Sequence, residues 1–349
     1  MRPAARPAPE GPEVSVAMVM AGARMGGAEA FYERICIALH RAGERVLPVI
    51  RTEPGRAGRL RAGGLEPVEL CFGGPLDLLT RPRLGRILRG FAPRVTMTWM
   101  TRATRHAPRG SWVHVGRLGG YYDLRNFRRC DHLAGNTRGM VDWILDQNQG
   151  WTRDRVHLLP NFVTDFAAAA PAAETATLVA LGRLHPNKGF DVLLRALALL
   201  PPATTLALAG EGPERAALEA LAAELGIAAR VRFLGWRQDA GALLKAADVF
   251  VCPSRSEPLG NVVIEAWSAT RPVVAAAAEG PRELIADGAD GLLVPKEDAA
   301  ALAGAIGALL ADPARAARLA QAGRARFERD FAEAAVVARW RDFLATVTR

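Results

Sequence analysis

Short apolar stretches alternate with segments of helical periodicity along the second half of this chain, and no other feature constrains the fold as strongly. Five such pairs follow residue 176. Short strands separated by helices of about 10–15 residues form a parallel sheet that is covered on both faces. The predicted pairs of strand and helix are Thr177–Leu181 with Phe190–Leu199, Thr205–Ala209 with Pro213–Leu225, Val231–Leu234 with Ala240–Ala247, Val249–Cys252 with Asn261–Ala269, and Pro272–Ala276 with Pro281–Ala286.

The first half shows the same alternation. Strand Val14–Met20, a glycine-containing loop, helix Glu29–Ala42 and strand Arg45–Ile50 are typical of a βαβ unit. The later elements are strands in the apolar stretches 67–72, 95–99, 111–116 and 132–135, with helices over Arg83–Phe91 and Thr137–Asp146. The predicted fold class is therefore α/β, with two doubly wound domains in tandem. Ligands are expected at the carboxyl ends of the strands.

A stretch of low complexity separates the two halves. Residues 166–176 are interpreted as a linker between an N-terminal domain, 1–165, and a C-terminal domain, 177–331. The first twelve residues are predicted to be disordered. The tail, 332–349, is predicted to be a helix whose aromatic face packs back on the first domain, because that face needs a partner.

Composition and local sequence argue against a membrane-spanning segment, a signal peptide and a zinc site. The chain is 50% apolar, enough for large cores, and no run approaches the roughly 20 apolar residues that span a bilayer. Val14–Ala23 is interpreted as a buried strand rather than a signal peptide, because acidic and Pro-rich sequence precedes it. None of the four cysteines has C-x-x-C spacing, which predicts a reducing, cytoplasmic location and no zinc site.

The net charge of +9 is unevenly distributed. Residues 1–165 hold 25 Arg against 15 Asp and Glu, a net charge of +10, whereas residues 166–349 carry −1. This predicts an anionic partner for the first half, such as a phosphorylated acceptor or an acidic membrane surface. A general preference for Arg is the alternative, since only three residues are lysine. The basic residues are not interleaved with aromatics as in nucleic-acid-binding motifs, so no nucleic acid partner is predicted.

The segment Ser256–Glu265 carries the clearest signal for a ligand. Its carboxylates, Glu257 and Glu265, flank Pro-Leu-Gly-Asn, which is typical of a tight loop leading into a helix. Such a loop presents free peptide N–H groups and the positive end of the helix dipole to an anion. A diphosphate flanked by sugar hydroxyls would suit it, because carboxylates accept hydrogen bonds from hydroxyls. Glu265 is expected within the first turn of that helix.

Five further motifs accompany this segment. They are Gly-Gly-Ala-Glu at 26–29, Gly-Arg with Asn-Lys-Gly within 182–189, Gly-Glu-Gly-Pro at 210–213, Val-Arg-Phe-Leu-Gly at 231–235, and a closing segment over 280–294. In this order the six resemble the retaining glycosyltransferases of family 4, over nearly the whole chain and most strongly from 177 to 329. The resemblance implies the GT-B fold, two Rossmann-like domains facing a central cleft.

The resemblance also implies a donor site for a nucleotide-diphosphate sugar. Arg183 and Lys188 would hold the diphosphate and stabilise its charge as it leaves, so neither a metal ion nor another cofactor is expected. Glu257 would contact the donor sugar and is assigned with them to catalysis. The donor-binding residues implied are Gly26, Gly27, Arg183, Lys188, Glu211, Gly212, Gly235, Trp236, Glu257, Leu259, Gly260, Asn261 and Glu265. Considered one at a time, these residues also fit ordinary structural roles. The charged side chains could be exposed to solvent, the glycines could form turns, and the tryptophan could pack within its loop.

The acceptor side is less well marked. Members of the family often carry a catalytic His just after a strand of the first domain, and His114 occupies that region. Its apolar neighbours equally suit a position inside the strand. Arg117, Tyr121 and Asp123 are rival acceptor contacts.

The reaction implied is sugar transfer to a hydroxyl of a saccharide or lipid-linked acceptor, in lipopolysaccharide or other envelope polysaccharide biosynthesis. The diphosphate would leave from the face that the acceptor attacks, and activity is expected to survive EDTA. A cytoplasmic location is predicted, with peripheral binding to the inner face of the membrane. Two alternatives stay open, a sugar-nucleotide epimerase of the same fold and a non-catalytic sugar-nucleotide-binding protein.

Overall fold

The computed structural model describes residues 13–24, 26–74, 77–173 and 175–348. The chain divides into two compact units, one of residues 1–161 with 333–349 and one of residues 162–332. Part of the stretch interpreted as a linker packs on the second unit, where the Ala172 amide donates to the Ala242 carbonyl at 3.0 Å. The prediction for the first twelve residues lies outside the described residues.

A seven-stranded parallel sheet forms the centre of the first unit. Its strands are β1 Ser15–Met20, β2 Arg45–Arg51, β3 Val68–Leu70, β4 Val95–Trp99, β5 Val113–Arg117, β6 His132–Gly135 and β7 Val156–Leu158. The strand order is β3-β2-β1-β4-β5-β6-β7, so the order reverses between β1 and β4. Both of these central strands are almost wholly buried, as parallel strands covered by helices should be.

Helices connect these strands. They are α1 Gly27–Arg41, α2 Pro54–Ala62, α3 Thr80–Phe91, α4 Met100–His106 and α5 Arg138–Asp146. The predictions for α1, α3 and α5 are confirmed to within three residues at each end. Helices α2 and α4 and strand β7 were not predicted, and α4 proves to line a cavity described below.

The second unit repeats the architecture with six parallel strands. The strands are β8 Ala176–Leu181, β9 Leu206–Ala209, β10 Val231–Gly235, β11 Ala247–Cys252, β12 Val273–Ala276 and β13 Leu292–Val294. The helices are α6 Phe190–Leu199, α7 Arg215–Glu224, α8 Ala240–Lys245, α9 Asn261–Ser268, α10 Glu279–Leu284, α11 Ala299–Ala311 and α12 Pro313–Asp330. The order β10-β9-β8-β11-β12-β13 is that of a dinucleotide-binding sheet, with its reversal between β8 and β11.

The last helix, α13 Glu333–Val347, belongs to the first unit. Its Trp340 is fully buried, and the indole N–H donates to the Pro160 carbonyl at 3.3 Å. The same ring stacks on Trp99 with 6.1 Å between centroids. Arg341 pairs with the buried Glu44 at 2.7 Å. The prediction that the C-terminal helix packs back on the first domain is confirmed.

Candidate functional site

Two loops of the second unit meet where its strand order reverses. One follows β8 and carries Lys188, and the other follows β11 and carries Glu257. Because β8 and β11 are neighbours, the loops at their carboxyl ends lie side by side. The Lys188 ammonium and the Glu257 carboxylate form an ion pair, with side chains only 24% and 13% exposed. The structure thus brings together two residues assigned to one site from sequence.

Gly189 allows the two loops to touch. Its φ is +64°, and a Cβ at this position would lie 2.2 Å from the carbonyl oxygen of Pro253. No other residue fits so close an approach. The Arg255 amide donates to the Asn187 carbonyl at 2.8 Å, which joins the loops through their backbones. The backbone around Lys188 therefore fixes its position independently of the ion pair.

Arg255 ties the same loops together through its side chain. It donates to both carboxylate oxygens of Asp191 at 2.7 Å and to the Pro186 carbonyl at 2.8 Å, and it pairs with Glu297 at 3.1 Å. The hydrogen bonds from Arg255 lower the pKa of Asp191 below its usual range. Arg255 was not predicted from the sequence. Two features of the sequence could have pointed to this ion pair. Arg255 lies two positions before Glu257, and Asp191 lies three positions after Lys188.

Arg183 occupies the same loop at an exposed position. Among the described residues its side chain forms no hydrogen bond or ion pair, so none of their carboxylates pairs with it. The turn after β9 supports its loop, because the Leu184 amide donates to the Glu211 carbonyl at 2.9 Å. A Cβ on Gly212 would lie 2.1 Å from the Leu184 carbonyl oxygen, which explains the glycine there. Arg183 therefore lies beside the Gly-Glu-Gly-Pro turn.

Trp236 is the most exposed aromatic residue associated with these loops. It is 64% exposed and follows Gly235, whose carbonyl accepts a hydrogen bond from the Gly210 amide at 2.8 Å. An indole in this position offers a flat apolar surface with one polar N–H group. A planar aromatic ligand, such as a nucleotide base, could stack on it.

Helix α9 begins directly after the Glu257 loop. Gly260 at its N-cap has the left-handed conformation, and no side chain among the described residues caps the helix. Free peptide N–H groups and the positive end of the helix dipole are available there. The Leu259 side chain is buried, so only the backbone of this residue can contact a ligand. The first residue of the helix is Asn261. Glu265 is the fifth residue of the helix, which corrects the expectation that it lies in the first turn.

Gly26 and Gly27 lie in the first unit, at the start of α1. The Glu29 side chain folds back over this loop and accepts a hydrogen bond from the Ala23 amide at 2.8 Å. A Cβ on Gly26 would lie 2.3 Å from that carboxylate, so the glycine makes room for it. The Glu29 carboxylate thus lies close to both Ala23 and Gly26, and the assignment of the two glycines to donor binding stays a prediction.

His114 lies inside β5 rather than after it. Its side chain is covered, with the ring Nε2 3.0 Å from the Thr98 hydroxyl, and its amide donates to Asp131 at 2.8 Å. Burial lowers the pKa of His114 to about 4, so the ring is neutral at pH 7. This placement corrects the assignment to catalysis in favour of the other interpretation, a histidine within the strand.

Arg117 is buried at the end of β5 and is 2% exposed. Three aromatic rings surround it, those of Phe31, Trp99 and Trp340, and its guanidinium donates to Asn161 at 2.9 Å. Burial lowers the pKa of Arg117 to about 9. Since no face of this side chain is open, Arg117 belongs to the core of the first unit rather than to an acceptor surface.

The other two acceptor candidates are accessible. Tyr121 is 48% exposed, and its ring packs edge-on against Trp143 at 5.1 Å. Asp123 caps a short 3-10 turn by accepting from the Arg125 amide at 3.0 Å, and it also pairs with the Arg125 side chain. Tyr121 can therefore meet a ligand, whereas Asp123 is committed to its turn.

No group of three or more His, Cys, Asp or Glu side chains that could hold a metal ion occurs among the described residues. The four cysteines are free, and one of them is exposed. Within the same residues no single helix is long and apolar enough to cross a membrane, although one pair of helices with a 103° bend meets both criteria together.

Comparison with known proteins identifies the family. Residues 163–326 match the family described as "Glycosyl transferases group 1". The chain is 35% identical over 334 residues to the lipopolysaccharide core biosynthesis glycosyltransferase LpsE of Rhizobium meliloti (strain 1021), covering 92% of this chain and 96% of the relative. The chain belongs to the group 1 glycosyltransferases. LpsD of the same strain is 36% identical to this glycosyltransferase over 326 residues, covering 89% and 92% of the two chains.

Solved structures confirm the fold of this glycosyltransferase. Anabaena Alr3699/HepE in complex with UDP matches with a TM-score of 0.81 and 21% identity, over 95% of this chain and all of the other. A glycosyltransferase from Rickettsia africae ESF-5 matches with a TM-score of 0.85 and 15% identity, over 97% and 99% of the two chains. The predicted α/β class and GT-B fold are thereby confirmed.

Proposed function

We propose that this glycosyltransferase moves a sugar from a nucleotide-diphosphate sugar to a hydroxyl of a cell-envelope saccharide, with retention at the anomeric carbon. The observation that carries the proposal is the Lys188–Glu257 pair at the point where the strand order reverses, directly before the uncapped helix α9. A cation, a carboxylate and free peptide N–H groups together suit a diphosphate that bears a sugar.

Each of these groups would contact a different part of the donor. The diphosphate oxygens would take hydrogen bonds from Lys188, Arg183 and the amides at the start of α9, which neutralise it without a metal ion. Glu257, released from Lys188 by the incoming phosphate, would accept hydrogen bonds from the sugar hydroxyls. Glu265 would accept from the ribose hydroxyls, and Trp236 would stack on the base. UDP complexes of the structural neighbour support a nucleotide donor.

Retention follows from attack on the face that the diphosphate leaves. The bond between the anomeric carbon and the phosphate oxygen breaks, and the acceptor oxygen bonds to that carbon. A non-bridging oxygen of the departing diphosphate takes the acceptor's proton. Arg183 and Lys188 stabilise the negative charge that grows on the diphosphate, and such fixed charges act most strongly where charge develops. This course of reaction requires no nucleophilic side chain from the enzyme.

Lipopolysaccharide core is the acceptor class that the relatives favour. Both relatives named above are lipopolysaccharide core biosynthesis glycosyltransferases. This agrees with the +10 charge of residues 1–165, because phosphorylated or acidic saccharides would be attracted to that half. An enzyme that glycosylates such an acceptor would act in the cytoplasm, at the inner face of the membrane.

Attachment to that membrane is proposed through the start of α3. Leu78 and Leu79 are 80% and 61% exposed, and the exposed Arg81, Arg83 and Arg86 follow them. Apolar side chains next to basic residues favour binding to anionic lipids. Co-sedimentation should be stronger with anionic than with neutral vesicles and should fall in a Leu78→Ser/Leu79→Ser variant. Equal binding to both kinds of vesicle would exclude this attachment.

A thermal-shift panel of UDP-, GDP- and ADP-sugars tests the donor site. A donor at about 100 times its dissociation constant should stabilise the protein by roughly 2.7 kcal/mol. Lys188→Ala should abolish that shift, while Lys245→Ala, a lysine on α8 outside the site, should preserve it. No shift with any nucleotide-sugar, or an equal shift in Lys188→Ala, would contradict the proposal.

A further inference from the structure

A cavity of about 550 Å³ opens at the carboxyl edge of the first sheet. It lies between residues that follow β3, including Asp77 and Arg81, and the helix α4 that follows β4. Ligand sites in parallel α/β sheets lie at this edge. The volume falls within the range of roughly 300–1,000 Å³ that holds small organic ligands, so the cavity is larger than a single inorganic ion requires.

Three arginines give this cavity its charge. Arg102 and Arg105 project from α4, and Arg81 projects from the first turn of α3. All three are exposed, and within the described residues none forms an ion pair or a side-chain hydrogen bond. Arg102 and Arg105 are three positions apart on one helix, where like charges repel each other. An anion between them would remove that repulsion.

The one carboxylate in the cavity wall does not neutralise these cations. Asp77 accepts hydrogen bonds from the Thr80 hydroxyl at 2.6 Å, from the Thr80 amide at 2.9 Å and from the Gly73 amide at 2.6 Å. These bonds, led by that from the Thr80 hydroxyl, hold the pKa of Asp77 well below its usual range. The carboxylate therefore serves to fix the start of α3.

His106 adds a polar group one residue beyond Arg105. Its Nδ1 donates to the Arg102 carbonyl at 3.0 Å, and its ring packs edge-on against Phe72 at 5.6 Å. These contacts orient the ring, and Nε2 lies 3.9 Å from the Asp77 carboxylate. Thr101 contributes a hydroxyl to the same wall. The cavity thus combines three free cations with a hydroxyl and an imidazole ring, both of which can form hydrogen bonds to sugar hydroxyls.

We infer that this cavity binds an acidic saccharide unit of the acceptor, with its phosphate or carboxylate group on Arg81, Arg102 and Arg105. Guanidinium groups match the geometry of both oxyanions and bind them with two hydrogen bonds each. The inference rests on the proposed function, since it identifies the acceptor of the same reaction as an anionic sugar. It also gives a local role to part of the positive charge of the first half.

Direct binding tests the inference without any transfer reaction. Glucose 6-phosphate, glucuronate and glucose are titrated into the full chain at low ionic strength by calorimetry. At least one of the two acidic sugars should bind about tenfold or more tightly than glucose. Arg102→Gln/Arg105→Gln should reduce this preference to about twofold or less. The matched control is Arg89→Gln/Arg109→Gln, which removes two exposed arginines outside the cavity and should keep the preference.

The outcomes separate the two proposals. Preference for glucose 6-phosphate identifies a phosphate ligand, and preference for glucuronate identifies a carboxylate. Equal binding of all three sugars, or a preference that survives Arg102→Gln/Arg105→Gln or is lost equally in the control, overturns the inference. Lys188→Ala should leave the preference unchanged, because that lysine belongs to the donor site. Failure of the nucleotide-sugar panel would instead overturn the proposed function, whatever the acidic sugars do.

Discussion

At the scale of single residues, the loops after β8 and β11 differ in how their charges are paired. Lys188 and Glu257 neutralise each other, whereas Arg183 has no partner among the described residues. In the proposed reaction, a diphosphate would take Lys188 from Glu257, because it offers more oxygens to the same ammonium. Arg255 would keep both loops in place during this exchange through its two bonds to Asp191. Under the proposed function, this ion pair would be the state of the site before the donor binds.

His114 gives a residue-scale prediction for pH. Its folded-state pKa of about 4 lies below the value of roughly 6.5 expected in the unfolded chain, so the unfolded state binds protons first as the pH falls. The stabilisation is complete above about pH 6.5 and is lost progressively towards pH 4. At pH 5 the loss from this residue should be about 2 kcal/mol.

Hydrogen exchange measures this loss locally. The free energy of opening of the β5 amides should fall between pH 7 and pH 5 in the wild type. In His114→Asn, which cannot titrate, that part of the pH dependence should disappear. An unchanged pH dependence in the variant would show that other groups cause it.

At the scale of elements, periodicity predicted the long helices and the central strands but not the short connections. Helix α2 has the sequence Pro-Gly-Arg-Ala-Gly-Arg-Leu-Arg-Ala, with no apolar stripe from which a helix could be inferred. Helix α4 has only seven residues, and β7 and β13 have three each. Such elements depend on their neighbours more than on their own residues. For the same reason the sequence could not show that Arg102 and Arg105 line a cavity.

Helix α13 provides the element-scale prediction. Trp340 fills the space between Phe31, Trp99 and Arg117 and is fully buried. Trp340→Ala should lower the free energy of unfolding of the first unit by about 3–5 kcal/mol, because it leaves a large cavity beside a buried guanidinium.

The control lies in the same helix. Asp342→Ala removes an exposed side chain and should change the stability by no more than about 0.5 kcal/mol. Urea unfolding followed by fluorescence compares the two variants with the wild type. Equal stability of Trp340→Ala and Asp342→Ala would mean that α13 contributes little to the first unit.

At the scale of the whole molecule, two features were readable from the sequence. Alternating strands and helices predicted two doubly wound sheets, and ordered motifs predicted that Lys188 and Glu257 lie together. The acceptor residues were harder to predict, because burial decides whether a side chain can reach a ligand. His114 and Arg117 are core residues for this reason. Their chemistry suited a site, but His114 is covered within β5, and Arg117 is enclosed by Phe31, Trp99 and Trp340.

The proposed reaction is transfer of a sugar from a nucleotide donor at the Lys188 site, with retention of the anomeric configuration. NMR of the anomeric centre, during transfer to a lipopolysaccharide core saccharide in the presence of EDTA, would test this proposal. We expect the product to keep the anomeric configuration of the donor. We also expect Lys188→Ala to lower the rate about 100-fold or more with the fold intact, and Lys245→Ala to act like the wild type. An inverted product, or wild-type turnover by Lys188→Ala, would contradict the account.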